Sequence, residues 1–276
     1  MRLITFGGLA LWRDGAPVQD PPIQRRQLAL LVFLGAQGPA GTSRERLIEN
    51  FWPDRQGGRN SLDQALSAAR RTLGPDAIVA TATTLSLNPA CLSLDLPEFD
   101  RSVEARAWRE AIALYNGPFL HGLTVDRAPA FVRWVEDERA RCARIYAEVL
   151  EQLAIEAEAQ GKPAESIAWW QRLVEADPLS ARATTGLMLA LAGSGERASA
   201  IDLANSYDGR VADALGAAPD PGIGMLADSL RRGSLPYGVH SAPVPARSSR
   251  RWLRWLITIG AIVLLLTAIA LLVIVR

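Results

Sequence analysis

The chain has 276 residues, enough for two domains of ordinary size, and 49% of them are hydrophobic. Its 30 Lys plus Arg against 29 Asp plus Glu leave a net charge of +1, which excludes a global basic field, so any nucleic-acid site must be local. Two Cys (Cys91, Cys142) and two His (His121, His240) stand at no metal-ligand or C-x-x-C spacing, and Lys162 is the only Lys, so an Arg by itself carries little weight.

Met1 leads into strand pattern rather than a signal peptide. Leu3-Ile4-Thr5-Phe6 and Leu9-Ala10-Leu11-Trp12 read as short strands around Gly7-Gly8, Asp14-Gly15 as a turn, and Val18 as the start of another strand. Gln24 to Gln37 reads as a helix with Leu28, Leu31, Val32 and Gly35 on its apolar face, ended by Gly38-Pro39.

Thr42 to Leu87 organises the rest. Thr42-Ser43-Arg44-Glu45 fits the S/T-x-x-E capping box, and Leu47, Ile48, Phe51 and Trp52 follow on one face until Pro53. A second helix is expected from about Asn60 to Leu73, closed by Gly74-Pro75. At 100° per residue, Leu62, Ala65, Leu66, Ala69 and Leu73 fall within about 100° of one another as a buried stripe. Asn60, Gln64, Ser67 and Arg71 lie opposite, with Arg59 and Arg70 on one flank. Amides bind adenine edges and Arg binds guanine or phosphate, so this face suits a major groove. Arg44 and Arg59 are the candidate phosphate contacts. A plain solvated helix face is the competing reading. Ile78 to Thr81 and Thr84 to Leu87 form the wing, and Cys91 to Asp95 a closing strand near Pro97.

Sheet, three helices and wing in this order, with Arg44-Glu45-Arg46-Leu47-Ile48, Phe51-Trp52, Arg59-Asn60-Ser61-Leu62 and Ala69-Arg70-Arg71-Thr72-Leu73-Gly74, make residues 1–97 resemble the OmpR-type winged helix of response regulators. The resemblance implies double-stranded DNA as a partner. The chain departs from it in two places. Ala68 stands where the family often has a basic residue, and the wing, Ala80 to Leu87, has no Lys or Arg. Asp63 would also repel phosphate if it faced DNA.

From Glu98 to about Arg232 the pattern is helical. Asp100 to Asn116 reads as one helix, and Pro129 to Gln160 as one long helix or two. Gly161-Lys162-Pro163-Ala164-Glu165-Ser166-Ile167 aligns with Gly195-Glu196-Arg197-Ala198-Ser199-Ala200-Ile201 at the 34-residue offset of a tetratricopeptide unit. The repeat predicts helix pairs over Ile145 to Ala176 and Ser180 to Tyr207, with Ala164 and Ala198 in equivalent tight helix contacts. Trp108, Trp134, Trp169 and Trp170 read as packing residues. Ala113-Leu114-Tyr115-Asn116-Gly117-Pro118-Phe119-Leu120, Trp134-Val135-Glu136-Asp137-Glu138-Arg139, Asp177-Pro178-Leu179 and Leu215-Gly216-Ala217-Ala218-Pro219-Asp220-Pro221 make residues 98–232 resemble the bacterial transcriptional activator domain, which follows such a winged helix in activators of antibiotic gene clusters. This implies a sequence-specific transcription regulator whose repeats serve a homodimer or a partner such as RNA polymerase.

Gly233 to Ser249 reads as a flexible linker, within an Arg-ended stretch 233–254. Leu256 to Val275 is 20 residues without a charge, long enough for a ~30 Å hydrocarbon core. With Arg247, Arg250, Arg251 and Arg254 before it and Arg276 after it, a single transmembrane helix over 255–275 is expected in the bacterial inner membrane, the N-terminal domains cytoplasmic, with the bilayer and another membrane protein as partners. No phosphate loop, nucleophile elbow or zinc helix occurs, so neither an enzyme nor a cofactor is expected. The expected fold is thus an α+β winged helix, an all-α repeat domain and one transmembrane helix. The rival reading is a tail-anchored protein-interaction scaffold whose winged helix no longer binds DNA.

Overall fold

A computed structural model describes residues 1–19, 23–53 and 57–233. Strands β1 (Arg2–Ile4), β2 (Ala10–Arg13) and β3 (Ala16–Pro17) open the chain, and helix α1 (Arg25–Ala36) follows. β4 (Thr42–Ser43), α2 (Arg44–Phe51) and α3 (Gly58–Leu73) come next, then the wing strands β5 (Ile78–Ala80) and β6 (Thr84–Leu87), and β7 (Ser93–Leu94). One sheet has the order β3-β2-β1-β7, with β1 and β7 parallel; the other is β4-β6-β5, all antiparallel. The N-terminal part is therefore winged-helix-like.

Local signals placed most of these elements, and neighbours adjusted them. Thr42 does not cap α2. It pairs with Leu85 of the wing, and Ser43 is the cap, its hydroxyl accepting from the Arg46 amide at 3.2 Å. Sheet pairing holds Thr42 extended one residue too early for the capping-box geometry. In α1 every residue from Leu28 to Leu34 is buried, not one stripe alone. The helix is enclosed because both halves of the chain cover it: Phe33 meets Phe51 of α2 at 5.9 Å between ring centroids and Trp134 of the helical half at 4.8 Å.

The remaining helices are α4 (Asp95–Glu104), α5 (Trp108–Leu114), α6 (Pro129–Ala159), α7 (Pro163–Ala176), α8 (Ala181–Gly193), α9 (Arg197–Leu215) and α10 (Pro221–Arg231). The single helix expected over Asp100 to Asn116 is two, because Arg106 takes a left-handed φ of 57° between α4 and α5. Pro97 lies inside α4, and the core runs without interruption from Leu3 to Leu230. Residues 1–233 form one compact unit. Asp95, 1% exposed, seals the junction. Its carboxylate accepts from the Thr5 amide at 2.9 and 2.8 Å, the Phe6 amide at 3.0 Å and the Thr5 hydroxyl at 2.5 Å. A buried carboxylate needs such partners, and the start of α4 favours its charge.

α6 has 31 residues, roughly 46 Å at 1.5 Å each. Its first half packs on the winged-helix part, where Phe131 meets Phe51 at 4.7 Å, and Arg139 donates to the Phe119 and Leu120 carbonyls of the loop before α6 at 2.7 and 2.6 Å. Its second half packs antiparallel to α7, and α8 pairs likewise with α9. The 34-residue offset holds at the level of single hydrogen bonds. Lys162 N–H donates to Ala157 at 2.9 Å, and Glu196 N–H to Leu191 at 2.9 Å. Gly161 and Gly195 take positive φ of 69° and 93° at the same turn. The equivalent buried positions are Ser166 and Ala200, not Ala164 and Ala198, which are exposed. In each helix the buried position comes two residues after the alanine, about half a turn further on.

The membrane expectation is corrected. Among the described residues no helix is long and apolar enough to cross a membrane. The linker and the 255–275 segment on which the inner-membrane, N-terminus-cytoplasmic location rested lie outside the described residues.

Candidate DNA-binding surface

α2 and α3 cross closely enough that the first residue of α3 must lack a side chain. A Cβ on Gly58 would stand 2.8 Å from Ile48 Cγ2 and 3.4 Å from Trp52 Cβ. The crossing buries Leu62, Ala65, Leu66, Ala69 and Leu73, the stripe read from the sequence. Asn60, Gln64, Ser67 and Arg71 are exposed on the other side, together with Arg59 and Asp63. Five of the seven sequence-predicted positions are therefore exposed, Asn60, Gln64, Ser67 and Arg71 on the polar side and Arg59 on its flank.

Arg44 and Arg70 behave differently. Arg44 Nη1 donates to Asp63 Oδ1 at 2.7 Å, so the one acidic side chain of α3 is joined to the first residue of α2. Arg70 is half-buried and its Nη2 donates to the Ile78 carbonyl at 3.4 Å, where the wing begins. The wing turn is internally satisfied: Thr81 Oγ1 accepts from the Thr84 amide at 2.9 Å and lies 2.9 Å from the Thr84 hydroxyl. The exposed positive charge of α3 thus comes from Arg59 and Arg71, with the Arg44–Asp63 pair locally neutral.

Sequence reasoning missed two links. One is the Arg44–Asp63 pair, for which the opposite charges 19 residues apart were the only signal. The other is Arg26, whose guanidinium donates to the carbonyl of Phe51, at the end of α2, at 3.3 Å and to that of Asp126 before α6. Arg26 therefore ties the helix-turn-helix to the helical half. Among the described residues no group of three or more His, Cys, Asp or Glu could hold a metal ion.

The chain is 27% identical over 253 residues to "Regulatory protein AfsR" of Streptomyces coelicolor, a match covering 83% of this chain and 24% of that protein. It thus spans about a quarter of the relative's length. Among solved structures, EmbR of Mycobacterium tuberculosis in complex with a low-affinity phosphopeptide is similar in fold, with a TM-score of 0.64 at 22% identity over 85% of this chain and 66% of that one. Residues 96–231 match the family model described as the bacterial transcriptional activator domain. Behind its winged-helix-like N-terminal part, this chain carries a bacterial transcriptional activator domain.

Proposed function

We propose that the protein is a sequence-specific, DNA-binding transcription regulator. The observation that carries this reading is the exposed face of α3, where Asn60, Gln64, Ser67 and Arg71 stand together opposite a buried stripe. The domain match and the regulatory name of the relative support it. In this reading α3 enters the major groove, Arg59 contacts phosphate, and Arg70 supports the wing. The repeats α6 to α9 offer the surface for a second copy or for RNA polymerase. With few free cations at the surface, affinity is modest and its salt slope shallow, since each neutralised phosphate adds about 0.9 to that slope.

Binding-site selection followed by titration tests it. Arg71→Ala and Gln64→Ala should each weaken the selected site by about 1–3 kcal/mol, and Ser67→Ala by less, because one hydroxyl bond discriminates less than a bidentate pair. Binding that is salt-sensitive but blind to sequence would instead favour the scaffold reading, for which the uncharged wing and the neutralised Arg44 speak.

A further inference from the structure

Asp63 is the only acidic residue in α3, and it is exposed. On a wheel of 100° per residue it lies about 60° from Asn60 and about 40° from Ser67, at the edge of the amide-bearing face and not behind it. Arg44 holds Oδ1 at 2.7 Å, and among the described residues Oδ2 has no hydrogen-bond partner. The two side chains keep 43% and 55% of their exposure, so the pair adds little to stability. What it does is fix the rotamer of the carboxylate and cancel its charge toward neighbouring phosphates.

We infer that Asp63 is a specificity residue that selects cytosine in the major groove, an assignment that rests on the DNA-binding function proposed above. A carboxylate offers acceptors only. Cytosine presents its N4 amino group there as a donor, whereas guanine O6 and N7 and thymine O4 are acceptors that repel a carboxylate. Adenine, with a donor beside an acceptor, suits the amides of Asn60 and Gln64 better. Arg44 then acts as a positioning residue for Asp63 and not as a phosphate contact.

The test is selection of duplex sites from a random pool by the full chain and by Asp63→Asn, Asp63→Ala and Arg44→Ala. Circular dichroism checks that each variant keeps its helices. The wild-type site should contain one position held by cytosine, and replacing that base should weaken wild-type binding about five- to a hundredfold. Both Asp63 variants should lose the preference at that position alone, and Arg44→Ala should blur it. If the Asp63 variants select the same site and bind it more tightly, the carboxylate only repels and the inference falls. If the wild-type chain selects no site, the regulator reading falls first and takes this inference with it.

Discussion

Phe131→Ala probes whether the winged-helix-like half and the repeats are one folding unit. Phe131 is 2% exposed, 4.7 Å from the Phe51 ring and 5.5 Å from Trp134. A buried aromatic covers ~150–250 Å², worth ~4–6 kcal/mol at ~25 cal/mol per Å² as an upper bound. Truncations of this kind measure ~3–5 kcal/mol, a large share of a total stability of ~5–15 kcal/mol. Phe51 ends α2, and α6 runs on into the repeats, so the loss should reach both halves. Native-state hydrogen exchange separates them: the slowest amides of α1 report on the winged-helix part and those of α8 on the repeats. Both sets should lose the same ~3–5 kcal/mol of protection. If α8 opens while α1 keeps its protection, the halves fold independently and the continuous core does not couple them.

Gly186→Val should lower stability by about 1–3 kcal/mol in urea unfolding, because a Cβ there would lie 2.6 Å from the Trp170 ring. Ala164→Leu should stay within about 0.5 kcal/mol, since Ala164 is exposed. Burial pushes the Cys142 thiol up to about 12, so at pH 8 it stays protonated in the fold. A thiol reagent should then label the native chain at Cys91 alone and the denatured chain at both; rapid double labelling without denaturant would refute the burial.

The stripe Leu62, Ala65, Leu66, Ala69, Leu73 and the exposed amides opposite it were legible because helical period is a property of adjacent residues. The 34-residue repeat was legible for the same reason: its turns are built from local hydrogen bonds, such as Lys162 to Ala157 and Glu196 to Leu191. The depth of packing within that repeat was not, and the tight positions proved to be Ser166 and Ala200. Nor did local pattern reveal that Asp95 binds Thr5 and Phe6, or that Trp134 covers Phe33, so that α1 is buried all round and Pro97 sits within a helix. By itself the sequence determined most elements of the N-terminal part, the repeat period, and which face of α3 is apolar and which is polar. Only the tertiary structure decided which charges on that polar face are free. The crossing of α2 over α3 brings Arg44 to Asp63, and electrostatic pairing depends on distance in space rather than on spacing along the chain.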